Sequence, residues 1–328
     1  MVSFTAAIFA ARRALIDVNR PDVSVVVPTY NRVALLQRAL LSLFSQRTQQ
    51  ANFEIIVVDN NSADETGEVV ESLKTKSPVT LRSLRETRQG NAYARNTGVE
   101  IAEAPIVAFL DDDVVADENW VDTIKTGLDR SPEISFVGGR ILPLWDRQPP
   151  SWLTPAHWAP LALLDYGKDE KVIGGVDPPG LLTANIGVRR EVFDEVGRFL
   201  PELQRVKGGI GSMEDTEFLL RVCRSGKSGM YLPELITRAA VDPERMTKTY
   251  HRRWHRGHGR FYAIMRDPNW EQARFQLAGV PSHLYRETAR HAVMWCSRVL
   301  TGNTDAAFEE ECHLRFFYGF FSERRKRT

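Results

Sequence analysis

The chain has 328 residues, 43% hydrophobic and 26% charged, with 43 Lys and Arg set against 42 Asp and Glu for a formal net charge of +1. This is ordinary globular composition, and the charge balance excludes a global field that would select nucleic acid or a membrane surface. The three cysteines, Cys223, Cys296 and Cys312, are scattered and odd in number; they make neither a disulfide framework nor a zinc motif, which fits a reducing compartment.

Residues 1–21 begin with an apolar-leaning stretch whose charge, Arg12 and Arg13, follows the apolar residues. That order reverses a signal peptide, so a short helical lead-in is expected. No run reaches the roughly 18 apolar residues of a membrane span.

Strand candidates follow at 23–27, 54–58, 79–84, 106–110 and 134–139, separated by helical patterns near 33–46, 63–74, 91–103 and 118–129. Most of the strands are β-branched and nearly continuous, as strands buried on both faces are. Ser62 with Glu65 reads as a capping box for the second helix. Strand–helix alternation predicts an open, mostly parallel α/β sheet with right-handed crossovers, whose ligands sit beyond the carboxyl ends of the strands. Prolines 143, 149, 150, 155 and 160 break the pattern and surround Trp145, Trp152 and Trp158, which predicts a long loop. Strand signal returns at 181–188, helices are expected near 190–197 and 214–224, and the chain is mostly helical beyond Pro243.

Three strand ends carry polar residues: Pro28-Thr29-Tyr30-Asn31-Arg32, Asp59-Asn60-Asn61-Ser62, and Asp111-Asp112-Asp113. Their shared sheet edge implies one site. Helix capping explains Ser62 and Asn31 but not the aspartates, because the next helix starts several residues later. Taken alone the triplet reads either as a solvated loop or as a metal site, where three carboxylates that repel one another call for a cation. A hard divalent ion such as Mg²⁺ or Mn²⁺ takes one or two carboxylates and completes its shell with phosphate oxygens.

The segments VSVVVPTYNR, EIIVVDNNSADET, GNAYARNTG, IVAFLDDD, TANIGVRREVFDEVGRF and GSMEDTEFLLRVCRSG occur in this order over about residues 22–240. Together they resemble the family 2 glycosyltransferases of the GT-A fold. The resemblance implies an inverting sugar transfer from a nucleoside-diphosphate sugar to a hydroxyl acceptor, with Mg²⁺ or Mn²⁺. It implies that Pro28, Thr29, Tyr30 and Asn31 line the base and ribose, and that Asp59 accepts a hydrogen bond from the base. By the same resemblance Arg95 lies near the nucleotide, Asp112 belongs to the nucleotide side, Asp113 is the main metal ligand, and Asp111 lies between the metal and the ribose. Asp215 is then the catalytic base, a role that its place at a helix start favours, since the dipole there stabilises the ionised form.

The chain departs from the family where a histidine often completes the metal site: the comparable stretch holds Ala239 and Ala240. Asp242, His251, His255 or His258 are the substitutes offered. The cation-rich stretch 245–260 reads as a solvated helix face, a phosphate-facing lid or a grip on an anionic acceptor. Glu214, Trp152, Trp158, Arg253 and His255 are expected on the acceptor side. The C-terminal aromatics with their basic tail read as packing, as a contact between copies, or as a peripheral membrane contact.

The expected organisation is a lead-in over 1–21, a catalytic domain over 22–242 with its nucleotide half at about 22–140 and its acceptor half at about 141–242, and a helical extension over 243–328. The expected acceptor is a glycan, a lipid-linked sugar or a small molecule, nucleic acid is not expected, and the expected location is the cytoplasm or the inner face of the membrane. A sugar-nucleotide pyrophosphorylase should show a Gly-rich phosphate loop after the first strand, which PTYNR is not. A non-catalytic binding module would be favoured by loss of Asp113 or Asp215, and both are present.

Overall fold

The computed structural model describes residues 20–204, 210–273 and 275–327; the lead-in helix expected over 1–21 falls almost wholly outside them. In chain order the elements that carry the fold are β1 (Val23–Thr29), α1 (Val33–Phe44), β2 (Phe53–Asp59), α2 (Thr66–Lys74), β3 (Leu81–Arg85), α3 (Asn91–Ile101), β4 (Ile106–Phe109), β5 (Val114–Ala116), α4 (Trp120–Asp129) and β6 (Ile134–Leu144). Then come β7 (Lys171–Ile173), β8 (Ile186–Arg189), α5 (Arg190–Val196), α6 (Glu214–Arg224), β9 (Ser228–Ala240) and α7 (Lys248–Met265). The short α8 (Pro268–Glu271), the hairpin β10 (Gln276–Leu277) and β11 (Val280–Pro281), and the long α9 (Ser282–Leu300) and α10 (Thr304–Arg327) complete the set.

Among the described residues nine strands form one sheet in the order β3-β2-β1-β4-β8-β6-β9-β5, with β7 also paired to β9. From β3 to β4 every pairing is parallel. Beyond β4 the sheet is mixed: β8 is antiparallel to β4 and β6, while β6 and β9 run parallel.

The continuous apolar runs have the structural meaning expected of them. Along β1, Val23, Val25 and Val27 enter one core layer with Leu36, Leu40 and Leu43 of α1. Val26, between them, enters the opposite layer with Ile56, Phe109 and α3. Period-2 alternation thus feeds two cores instead of a core and a solvent face.

Two expectations are corrected. The capping box is not formed: α2 begins at Thr66, with Glu65 at its cap position and no side-chain cap. Ser62 Oγ instead accepts from the Asn31 backbone N–H at 3.0 Å, so this serine ties two strand-end loops together. The strand expected over 181–188 starts only at Ile186, because Thr183–Asn185 form a 3₁₀ turn.

The C-terminal helices have their own small core of Ala263, Val280, Leu284, Phe317 and Phe320, with Phe316 and Phe321 packed against it. Most of the C-terminal aromatics are therefore spent on packing; Tyr318 remains 55% exposed. The helices α7 and α10 cross closely, and a Cβ on Gly259 would lie 2.0 Å from the Phe316 carbonyl oxygen. Among the described residues no helix is long and apolar enough to cross a membrane.

Candidate active site

The parallel register aligns the polar strand ends. Thr29 pairs with Asp59 across β1–β2, and β4, the other neighbour of β1, runs out at the aspartates. Tyr30 stands 45% exposed at this edge, and Asn31 adopts a positive φ of 50°, a conformation that Asn tolerates better than most residues. Its Oδ1 accepts from the Ala63 N–H at 2.7 Å, while Asp59 Oδ1 accepts from the Ser62 N–H at 2.8 Å. Pro28, Thr29, Tyr30, Asn31 and Asp59 are thereby gathered on one rim.

The three aspartates diverge. Asp112 is buried, accepting from Thr29 Oγ1 at 2.9 Å and from Arg32 Nη1 at 3.1 Å. Asp113 accepts from the same Arg32 Nη1 at 3.0 Å. Asp111 turns to Arg95, whose Nη2 is 2.9 Å away. Burial and the neighbouring Asp113 charge push the Asp112 carboxyl from its usual 3.8 up to about 6. Burial also raises Asp111, against the opposing pull of Arg95. Arg32 and Arg95 are thus internal cations for a strand end crowded with negative charge.

Arg95 joins the two halves of the site. It is 2% exposed, and its Nη1 donates to Glu214 Oε1 at 3.1 Å while its Nη2 holds Asp111. Burial opposes its charge, but Asp111, Asp215 and Glu214 together raise its pKa. Glu214 is buried; burial first, then the Asp215 charge, push its carboxyl from 4.5 up to about 7 despite Arg95. Asp215 is the partly exposed member of the pair. Its Oδ2 accepts from Thr183 Oγ1 at 2.9 Å and from the Thr183 N–H at 3.3 Å.

The sequence alone does not mark Thr183 and Arg32 as site residues, although both lie in segments that carry the family resemblance, TANIG and PTYNR. A bare motif shows neither that Thr183 grips Asp215 nor that Arg32 spans two aspartates. Trp120 Nε1 donates to Asn185 Oδ1 at 2.7 Å, and Asn185 Nδ2 donates to the Arg140 and Leu235 carbonyls. The turn that carries Thr183 is thereby pinned to the sheet.

The substitutes offered for a third metal ligand are not gathered here. Ala240 donates its N–H to the Asp113 carbonyl at 2.9 Å, so the alanines do lie beside the aspartates. Asp242 is spent capping a 3₁₀ turn, accepting from the Glu244 N–H at 2.8 Å. His251 packs edge-to-face on Trp152 with ring centroids 5.0 Å apart, and His258 stacks on Trp254. Among the described residues no group of three or more His, Cys, Asp or Glu is gathered for a metal.

Several acceptor-side expectations also change. Trp152 meets His157, His251 and Phe308 in a ring cluster, so it joins the proline-rich loop to the C-terminal helices. Trp145 and Trp158 are partly buried against the core layer. Burial pushes the His255 imidazole down to about 3; it is neutral near pH 7 and offers no charge to an anion. The basic stretch is largely internal to the extension: Lys248 pairs with Asp305, Arg252 with Glu311 and Arg260 with Glu323. Arg253 is exposed. Helix α7 nevertheless touches the site from behind, because a Cβ on Gly257 would lie 2.0 Å from the Ile210 carbonyl oxygen, a few residues before Asp215.

A parallel half-sheet with acidic and polar strand ends, continued by a mixed half and closed by a helix start that bears carboxylates, is the GT-A architecture. The profile for "Glycosyl transferase family 2" matches residues 24–197, more than half of the chain, and the chain belongs to that family. It is 28% identical over 222 residues to glycosyltransferase AglE of Haloferax volcanii, covering 66% of each chain. It is 30% identical over 182 residues to the glucosyl-dolichyl phosphate glucuronosyltransferase of the same organism, covering 54% of this chain and 55% of the relative. The matches thus span two-thirds or less of these relatives. Among solved structures, the mannosyltransferase PcManGT from Pyrobaculum calidifontis in complex with GDP-Man and Mn²⁺ has a TM-score of 0.56 at 19% identity, covering 94% of both chains. S. aureus TarS in complex with UDP has a TM-score of 0.53 at 17% identity, covering 90% of both chains.

Proposed function

We propose that this chain is an inverting glycosyltransferase that moves a sugar from a nucleoside-diphosphate donor to a hydroxyl acceptor, with Asp215 as general base. One observation carries the reading: Asp215 is partly exposed at the start of α6, gripped by Thr183, and follows Glu214, which Arg95 links to Asp111. Thr183 occupies Oδ2, which leaves Oδ1 to take the acceptor's proton. The acceptor oxygen then attacks the anomeric carbon as the bond to the diphosphate oxygen breaks on the opposite face, and the electron pair leaves with the diphosphate. Burial and Arg95 hold Glu214 in a supporting place, so it orients Arg95 and is not the base.

The strand-end donor set fits a hard divalent ion. Asp111 and Asp113 supply carboxylate oxygens without sulfur or imidazole, and Mg²⁺ and Mn²⁺ accept one or two such ligands with phosphate and water for the rest. When bound, such an ion would neutralise charge on the departing diphosphate. The Mn²⁺ complex of PcManGT is in keeping with this role. In this reading Tyr30, exposed on the rim, stacks on the base and Asp59 accepts its ring N–H. A lipid-linked acceptor is the class we favour, because relatives include a glucosyl-dolichyl phosphate glucuronosyltransferase and a Campylobacter jejuni glucosyltransferase named for a PP-undecaprenol substrate. We read 22–242 as the catalytic unit and 243–328 as its helical buttress.

The test pairs binding with turnover. A thermal-shift panel of UDP-, GDP- and dTDP-sugars with Mn²⁺ or EDTA identifies the donor. Single-turnover transfer by Asp215→Asn is then expected to fall by about 10²–10⁴, with donor affinity close to wild type. Wild-type rates in that variant would refute the base assignment.

A further inference from the structure

The two arginines at the aspartates are not equivalent. Arg95 is enclosed, 2% exposed, and held from both sides by Asp111 and Glu214. Arg32 keeps a side-chain exposure of 34% and engages only through Nη1, which reaches Asp112 and Asp113 at 3.1 and 3.0 Å. Among the described contacts its Nε and Nη2 have no protein partner. It sits just before α1, on the loop that also carries Tyr30 and Asn31. The arginine therefore lies on one carboxylate oxygen of Asp113, Oδ2, where a divalent ion would bind, and its one-sided attachment lets it leave.

We propose that Arg32 is an exchangeable counter-cation: in the donor-free protein it neutralises Asp112 and Asp113, it competes with a divalent ion for Asp113, and once displaced it engages a phosphate oxygen of the donor. This rests on the metal-dependent donor binding proposed above. The physical argument is one of charge. Arg32 already offsets charge on Asp112 and Asp113, so a dication alone must compete with it for Asp113. A diphosphate brings new negative charge and gives the displaced guanidinium a partner with fork geometry. Metal and donor then bind together, and metal alone binds weakly. Arg32 is a donor-binding residue in this scheme.

The experiment measures Mn²⁺ binding by calorimetry and by the spin-resonance signal of free Mn²⁺, with and without UDP or GDP. Wild type is compared with Arg32→Gln and Arg32→Lys, and a melting curve checks that each is folded. Arg32→Gln is expected to bind Mn²⁺ alone about tenfold or more tightly than wild type, the scale of a lost charge-assisted hydrogen bond. Its affinity for the diphosphate in EDTA should fall by a similar factor, so that the coupling between metal and nucleotide shrinks from both sides. Arg32→Lys, which keeps the charge but not the fork, should tighten Mn²⁺ binding by only a few fold; it carries the test if the glutamine variant does not fold. Equal Mn²⁺-alone affinity in wild type and folded variants would overturn the exchange while leaving metal-dependent donor binding intact. No Mn²⁺ binding by wild type with either nucleotide would overturn the metal reading and this inference with it.

Discussion

Removing the Arg95 guanidinium is the sharpest probe of the site's architecture. Arg95→Met keeps most of the volume and leaves Asp111 and Glu214 without their shared partner. Loss of one member of a buried ion pair costs about 3–5 kcal/mol, but the two ends respond differently. Asp111 is 28% exposed and can regain water, whereas Glu214 is 4% exposed and can only take up a proton. Glu214 is already raised from 4.5 to about 7 in the presence of Arg95. Its folded value lies above its unfolded one, so the folded protein holds an extra proton across that window and stability falls as pH rises through it. In the variant this window extends to higher pH. The loss relative to wild type should be small near pH 6, where a proton replaces the guanidinium, and should then grow by about 1.4 kcal/mol per pH unit above neutrality until it reaches the 3–5 kcal/mol range. Urea unfolding at pH 6, 7 and 8 measures it. The double variant Arg95→Met/Glu214→Gln should remove most of the pH dependence. A loss that does not change with pH, or one below about 1 kcal/mol at pH 8, would refute this account of the bridge.

Three further outcomes are expected. Thr183→Val removes the hydroxyl donor to Asp215 but keeps the backbone one, so single-turnover transfer should fall by about tenfold or more with donor affinity unchanged, and Thr183→Ser should restore it. Asp59→Ala should weaken nucleoside-diphosphate binding by about tenfold in calorimetry while the response to Mn²⁺ persists; a loss of metal response would place Asp59 in a different role. Gly257→Ala drives a methyl into the Ile210 carbonyl and should lower stability by about 1–3 kcal/mol in denaturant melts, with transfer declining alongside; an unchanged melt would mean that the loop yields freely.

The parallel half of the sheet was legible because burial on both faces leaves an unmistakable signature: VSVVV and EIIVV admit few other readings, and each is followed by its loop residues. Asp111–Asp113 stood out because adjacent carboxylates at a strand end need an explanation, whereas Asp215 is ordinary at a helix start and was marked by the family resemblance. Arg32 and Thr183 were visible but silent, because their partners lie 80 and 32 residues away and only the crossing of strands brings them together. The histidines of α7 misled for the opposite reason. Imidazoles at short spacing suggest ligands or charge, yet His251 and His258 are enclosed by Trp152, Trp254 and α10, where desolvation drives both down to about 4. Composition marks the residue type, and burial decides whether it is a charge or a piece of the core.

The contact between Gly257 and Ile210 bears on how this protein can be recombined. The backbone ahead of Asp215 rests on α7; Trp152 of the proline-rich loop meets His251 and Phe308, and Arg224 at the far end of α6 is clasped by Asp267. A chimera that exchanges residues 141–242 for those of a relative, while keeping its own 248–327, would set a foreign base loop on a helix shaped for another. The crossover point for domain grafting therefore lies before β6, and the C-terminal helices travel with the base as one inheritable block.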